Sequence, residues 1–411
     1  MNPLSISFFS PHFHPEKIST GKYNTLLVKG LLQRGAAVRV ITSHPLYPSW
    51  RPVFSREPFL NASIHRGGAW LRYPAKPLLR RLLLEIWFAS HAVKKSFTAN
   101  KDTAIIVAVF PPTLYFLLVH LFSPASAKRV AIVHDLQGIL GLNDANFLTR
   151  AVNRLVRWVE SKALHSCDKV IALSDEMAST IATIYSVDPR KLAVCYPFTT
   201  IPSRPCTAQN LQSILPDGIA HVVYSGALGK KQDSLKLFQF FQAASAELAG
   251  VRFHIFSAGP AFIQLRNSNI AGTAVQFHDL VCESDLEELY ARSTVQVLPQ
   301  VHAASGACFP SKLPNILSAG VPVLAICDPL SDLARVVIQT AGAVADSWQT
   351  SALLVHLRKL LLQASTQSRQ ARQEAVKDIL SSRFSLDPLL DSILSAAASE
   401  PCLIAAPVRA S

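Results

Sequence analysis

Short apolar runs rich in Val, Ile and Phe alternate along this chain with longer segments whose apolar residues recur at helical spacing. In the first half the runs fall at residues 4–10 (LSISFFS), 37–42 (AVRVIT), 104–110, 129–133 and 169–173 (KVIAL). Helical segments lie between them, among them 23–34, which ends at Gly35 as a helix cap would, and 147–163. Residues 196–216 break the pattern with four prolines, Pro197, Pro202, Pro205 and Pro216, and read as a linker. A second alternation then begins. Its strands are expected at 221–225 (HVVYS), 251–257, 275–278, 295–299 and 321–326, and its helices at 234–248, 285–291, 313–319, 348–363 and 386–398. Strand–helix alternation of this kind predicts parallel sheets covered on both faces, so the chain reads as two doubly wound α/β domains. Ligands of such sheets bind at the carboxyl ends of the strands, which makes the cleft between the domains the expected site.

Two apolar stretches need a separate reading. Residues 104–122 are long enough to span a bilayer, but Pro111 and Pro112 cut them in the middle. A strand at 104–110, a turn and a helix from Thr113 fit better. Residues 78–97 form a helical pattern. At about 100° per residue, Arg80, Arg81, His91, Lys94 and Lys95 fall on one half, with Leu84, Trp87 and Phe88 among them. Leu79, Leu82, Leu83, Ile86 and Val93 fall on the other. A face that mixes basic and aromatic residues suits an interfacial membrane helix, so Arg80, Arg81, Leu84, Trp87, Phe88, Lys94 and Lys95 are the expected membrane contacts.

Charge sharpens this picture. The 411 residues carry a formal net charge of +13, from 40 Lys+Arg and 27 Asp+Glu. Residues 1–200 hold 24 basic and 11 acidic side chains, and the remainder hold 16 of each, so the whole excess lies in the first half. One domain should therefore face an anionic surface or ligand. A hydrophobic content of 49% excludes a disordered chain. The seven scattered cysteines include no C-x-x-C pair, so reduced thiols are expected rather than a disulfide framework or a zinc knuckle. The opening MNPLSISFFSPHFH lacks the pattern of a cleaved signal peptide. No aromatic-interleaved basic motif suggests nucleic acid.

Four segments could carry chemistry. The loop SPHFHPEKISTGKYN places Thr20 and Gly21 at a helix start, where anions are attracted. His12, His14 and Glu16 crowd the same loop without a metal-binding array, and Glu16 is the candidate acceptor contact. In VAIVHDLQG a buried strand ends in His134 and Asp135, the candidate catalytic pair, able to meet substrate hydroxyls or move a proton. In VVYSGALGKKQDSL a strand runs into Gly226, Gly229, Lys231 and Gln232, a loop that lets backbone and charge approach a phosphate. In ASGACFPSKLPNILSAGVPV, Pro310, Ser311 and Lys312 precede a helix in a second anion-seeking loop. Two such loops in one domain suit a diphosphate.

These residues resemble the GT-B glycosyltransferases, specifically the exopolysaccharide branch of glycosyltransferase family 4. The likeness rests on PHFHPEKISTGKYN, VRVITSHPLYPSW, SGALGKKQDSL and FPSKLPNILSAGVPV and spans about residues 4–395. It implies two Rossmann-like domains facing a central cleft, a nucleotide-diphosphate sugar held by the C-terminal domain, and a lipid-linked saccharide acceptor on the N-terminal one. It further implies retention at the sugar carbon, no metal or cofactor, and work at the cytoplasmic face of the membrane. By the same likeness Gly21, Gly226, Lys231 and Gln232 would serve the donor phosphates. Pro310, Ser311 and Lys312 would serve the phosphates or sugar, Asn315 the ribose, and His134 the transferred sugar. The chain departs from the family pattern at Ala307 and Asn315, where many members carry a Glu-x7-Glu pair, and at Ala227, the place of the usual Arg.

Pattern and resemblance together divide the chain into residues 1–200, a linker at 201–220, a donor domain at 221–382, a helix at 383–399 returning to the first domain, and a tail at 400–411. The alternatives are a sugar-nucleotide epimerase of the same architecture and a non-catalytic partner that binds only nucleotide or membrane.

Overall fold

The computed structural model describes residues 3–16, 18–47, 49–99, 102–140, 147–201, 208–269 and 275–397; the expected tail at 400–411 lies outside them. The N-terminal sheet comprises β1 (Ser5–Phe9), β2 (Ala37–Ser43), β3 (Ser63–Gly67), β4 (Ile105–Phe110), β5 (Lys128–Val133), β6 (Lys169–Ala172) and β7 (Leu192–Val194). Its order is β3-β2-β1-β4-β5-β6-β7, all parallel. The helices are α1 (Ser19–Gln33), α2 (Pro77–Ala99), α3 (Leu114–Val119), α4 (Gln137–Leu140), α5 (Phe147–His165) and α6 (Asp175–Ile184). All six residues of β4 are buried, as a central strand with helices on both faces requires. The apolar stretch 104–122 thus resolves into a strand, a turn and a short helix. Among the described residues no helix is long and apolar enough to cross a membrane.

The C-terminal sheet comprises β8 (Ala220–Ser225), β9 (Val251–Ser257), β10 (Val275–Asp279), β11 (Val295–Pro299), β12 (Val323–Ile326) and β13 (Ala343–Ala345), in the parallel order β10-β9-β8-β11-β12-β13. Its first helices are α7 (Ser234–Glu247), α8 (Pro260–Ser268) and α9 (Leu286–Arg292). They are followed by α10 (Leu313–Ser318), α11 (Asp332–Gln339), α12 (Thr350–Thr366) and α13 (Arg369–Arg383). In each domain the strand order changes direction between the first strand and the strand that begins the second half, β1/β4 and β8/β11. These are the switch points at which a parallel sheet offers a crevice. The final helix, α14 (Asp387–Leu394), packs on α1: Leu390 lies 2.8 Å from where a Cβ on Gly30 would stand, and Arg34 pairs with Asp387 and Asp391.

Right-handed crossovers put α1 on one face of the N-terminal sheet and α2, α3 and α5 together on the other. The orientation of α2 corrects the sequence reading. Leu84 is 7% exposed and Phe88 0%, so neither can touch a membrane. Phe88 meets the Tyr115 ring edge-on at 4.9 Å, and Trp87 stacks on His91 at 5.3 Å. Arg81 is half-buried and Arg80 lies over the Trp50 ring at 4.1 Å. Of the two lysines expected outward, Lys94 is exposed and Lys95 half-buried. The reason is area: aromatic rings have more apolar surface to remove from water than Leu or Ile, so the helix turns them toward the sheet. Leu78, Leu79, Leu82 and Ile86 point outward instead.

Candidate active site

The site is built where β1 and β5 of one sheet face β8 and β11 of the other. After β1 the chain turns through Ser10 to Glu16. Asn24, one turn inside α1, fixes the start of this loop by donating to Ser10 Oγ and to the His12 carbonyl, both at 2.9 Å. Glu16 fixes its end. The buried carboxylate accepts from the backbone N–H groups of Leu46 at 2.9 Å and Tyr47 at 3.0 Å, which ties the loop after β1 to the loop after β2. Gly21 answers a local need: a Cβ there would stand 2.9 Å from Glu16 Cβ, so only glycine lets α1 pass this loop.

β5 carries His134 and Asp135 to its carboxyl end. His134 continues the sheet, its N–H donating to the Phe110 carbonyl at 2.9 Å. Its ring meets Tyr23 edge-on at 5.0 Å, and Tyr23 stacks on Phe198 at 4.1 Å. Burial pulls the His134 imidazole down to about 4, with Asp135 opposing only in part, so the ring is neutral at pH 7. Its Nε2 is buried and has no hydrogen-bond partner among the described residues. A neutral imidazole with a free nitrogen can exchange a hydrogen bond with a sugar hydroxyl.

Asp135 crosses the cleft. Its carboxylate accepts from Lys231 Nζ at 2.7 Å, it forms a bridge with Cys308, and the next residue donates from Leu136 N to the Ala307 carbonyl at 2.9 Å. Burial alone would lower the Lys231 ammonium, but Asp135 and Cys308 outweigh it and hold it above its usual range. Gln232, beside it, closes the same turn by accepting from Gly229 N at 3.1 Å.

Lys312 has a different setting. It reaches under the first glycine of the β8 loop, with Nζ 3.4 Å from where a Gly226 Cβ would stand. Nζ donates to the Ser225 carbonyl at 2.7 Å and lies 4.2 Å from the centre of the Tyr224 ring. Gly226 has φ 134°, a conformation that few other residues tolerate. Burial alone pulls the Lys312 ammonium down to about 7. Among the described residues no carboxylate pairs with it. Pro310 turns the chain into α10 by accepting from Leu313 N at 3.1 Å, and Ser311 sits half-buried in that turn.

The structure therefore brings His134, Asp135 and Lys231 together across the cleft and sets Lys312 beneath Gly226. Asn315 is engaged elsewhere. Its Oδ1 accepts from Thr200 N at 2.7 Å and Ile201 N at 3.2 Å, and its Nδ2 donates to Thr200 Oγ1 at 3.0 Å. The amide fastens α10 to the segment joining the domains, leaving no obvious hydrogen bond for a ribose. Three participants escaped the sequence reading: Tyr23, Asn24 and Cys308. Tyr23 and Asn24 stand within the GKYN segment of the first loop's motif, which is the signal that could have found them. Cys308 offers none, because its role comes from a backbone bridge.

Residues 20–200 match the model of Glycosyltransferase Family 4. The protein WcaI of Escherichia coli K12, named for colanic acid biosynthesis as a glycosyl transferase, is 24% identical over 383 residues, covering 87% of this chain and 92% of that one. The N-terminal domain is thus similar to family 4 glycosyltransferases, and the chain has the two-domain GT-B fold of solved glycosyltransferases. Solved structures show the same architecture. Sucrose-phosphate synthase of Thermosynechococcus elongatus superposes with a TM-score of 0.71 at 16% identity, covering 94% of this chain and 96% of that one. WaaG, a glycosyltransferase involved in lipopolysaccharide biosynthesis, gives 0.67 at 16% identity, covering 94% and 99%. The catalytic domain of starch synthase IV from Arabidopsis thaliana, bound to ADP and acarbose, gives 0.66 at 13% identity, covering 96% and 99%.

Proposed function

We propose that this glycosyltransferase moves a sugar from a nucleotide-diphosphate sugar to a lipid-linked saccharide during polysaccharide assembly, with retention at the sugar carbon, on the inner face of the cytoplasmic membrane. The observation that carries the reading is Lys312. A buried ammonium that faces a carbonyl and a ring but no carboxylate is a costly group, and a diphosphate at the Gly226 loop would give it the counter-charge it lacks. Lys231 is the second cation, and Asp135 of the other domain holds it in the cleft, where it can meet a donor phosphate.

As the glycosidic bond breaks, the leaving diphosphate gains charge. Two lysines held in a half-dry cleft stabilise that charge without a metal. His134 meets a hydroxyl of the transferred sugar through its free Nε2. Retention is supported by what the acids are doing. Attack from the opposite face would need a free carboxylate as base. Glu16 is spent on two backbone N–H groups and Asp135 on Lys231.

The test is release of nucleoside diphosphate from a panel of nucleotide sugars in the presence of EDTA and a polyprenyl-diphosphate saccharide, with the product's anomeric configuration read by NMR. Turnover of one donor, lost in Lys231→Ala and Lys312→Ala, is expected. Binding without turnover of any donor would overturn the reading, as would an inverted product the claim of retention.

A further inference from the structure

We propose that the outer face of α2, residues 120–122 and α5 is the surface by which the N-terminal domain docks on an anionic lipid bilayer. The proposal rests on the reading of a lipid-linked acceptor and names the surface that would bring the enzyme to it. It differs from the face expected from the sequence, whose Leu84 and Phe88 the fold buries.

Three observations converge. First, the face is apolar on helices that neighbour one another through α3. At about 100° per residue, Leu79, Leu82, Ile86 and Phe97 fall within about 60° of one another on the outside of α2. Phe97 meets Phe122 at 4.4 Å, which joins α2 to the segment after α3. On α5, Leu155 is 61% exposed and Trp158 55%. An exposed apolar surface shared by neighbouring helices marks an interaction site.

Second, the charge on these helices has one sign at the surface. Across α2, α3, residues 120–122 and α5, eight side chains are Lys or Arg, of which Lys94, Arg150, Arg154 and Lys162 are exposed, and two are acidic. Both acids are turned inward onto backbone N–H groups. Glu85 accepts from Thr113 and Leu114 at 3.0 Å, and Glu160 accepts from Gln137 at 2.8 Å and Gly138 at 3.0 Å. Arg150, Arg154 and Lys162 are exposed and share an arc of about 120° of α5 with Trp158. Basic residues framing Leu and Trp are what an anionic bilayer surface selects. A protein partner of the same shape would need acidic complement, and a second copy of this face would bring like charges together.

Third, the placement is useful. α2 follows β3 and α5 follows β5, so both helices begin at the carboxyl rim of the sheet, beside the cleft. Leu78, Leu79, Arg150 and Arg154 lie at that end. A bilayer seated there keeps a lipid tail in the membrane while its saccharide enters the cleft.

The full chain is floated with vesicles of phosphatidylcholine alone and of phosphatidylcholine with one third phosphatidylglycerol. Binding only to the second is expected, weakened about fivefold for each of Arg150→Gln and Arg154→Gln, and by Ile86→Ser. Brominated lipid should quench tryptophan emission less in Trp158→Phe than in the parent chain. Equal binding to both vesicles, or binding insensitive to these changes, would overturn the proposal. So would a concentration-dependent dimer broken by Ile86→Ser, since the face would then belong to a second copy. Each variant is also assayed with a water-soluble acceptor analogue. Loss of vesicle binding with that activity intact supports the docking face; activity on lipid-linked acceptor from protein that never binds vesicles refutes it alone. Vesicle binding by this face without any sugar transfer leaves the face standing and removes the transferase reading.

Discussion

If Lys312 pairs with the donor diphosphate as proposed, donor binding should fall as pH rises above 7, well below the range in which an ordinary lysine titrates. Burial holds the ammonium at about 7 in the free protein, against about 10.4 in an unfolded chain. A diphosphate binds the charged form, so binding takes up a proton once the pH exceeds 7. Between pH 7 and pH 8.5 the charged fraction falls from about one half to about one thirtieth, and affinity should fall about fifteenfold, approaching tenfold per further pH unit. The assay is calorimetric titration with a nucleotide sugar, whose diphosphate does not itself titrate in this range, in two buffers of different ionisation heat. Lys312→Met keeps the stem and removes the charge, so its affinity should be low and flat with pH. Stability supplies an independent readout of opposite sign. Between pH 7 and pH 10 the unfolded state binds the proton that the folded state has lost, so this lysine makes stability rise with pH, and its cost is greatest at or below pH 7. Lys312→Met should therefore raise Tm at pH 6 and lose that advantage toward pH 10. Affinity that is constant from pH 6 to pH 9, or an equal slope in Lys312→Met, would refute the reasoning.

Four further outcomes follow from the geometry. Phe88→Ala should destabilise the protein by about 3–5 kcal/mol in urea titration, whereas Ile86→Asp, two residues earlier on the same helix, should change stability by less than about 1 kcal/mol. Asn315→Ala leaves Thr200 N without its acceptor and should cost about 1–3 kcal/mol of unfolding free energy, measured by the same titration. Asp135→Asn should cost less than about 1 kcal/mol, since its pair with Lys231 is part-exposed, yet reduce transfer more than tenfold in the nucleotide-release assay. His134 stays neutral above about pH 4, so the pH–rate profile between pH 5 and pH 9 should show no inflection that His134→Gln removes.

Strand runs such as IIVAVF at β4 and HVVYS in β8 were legible because a buried parallel strand is apolar along its whole length. Three of the four edge strands were not. β3 reads SIHRG with no residue fully buried, β7 is three half-buried residues, and β13 is three residues long, so none leaves a hydrophobic run to find. At the site, the glycine and lysine loops showed themselves by residue type, but their partners did not. Asp135 and Lys231 are 96 positions apart, and Asn315 and Thr200 are 115 apart; only the way the two sheets face each other brings them together. The direction of α2 was illegible for another reason. Its two halves are both largely apolar apart from the basic residues, and a period alone cannot say which half meets the sheet. Tyr115, on the inner side, decides it by receiving Phe88.

The charge excess of the first half separates into two populations with different costs. The exposed arginines and lysines of α5 keep their water and are cheap to hold. Arg66 and Arg81 are not. Burial lowers both guanidinium groups, Arg81 despite the nearby charges of Glu85, Glu160 and Asp135, and Arg66 Nε is buried without a partner. Glu85 and Glu160 oppose the burial of Arg81 only in part, and both also accept from backbone N–H groups. A fold that desolvates cations near its cleft while turning its acids onto the main chain loses stability unless an anion arrives. On the function and docking face proposed above, the inner arginines would serve a charged substrate and the outer ones a charged surface. If so, Arg81→Gln should weaken use of a diphosphate-linked acceptor while leaving vesicle binding unchanged, and Arg154→Gln should do the reverse with a soluble acceptor. A single ranking of both variants in both assays would mean that the two populations act as one field and that the division drawn from burial is wrong.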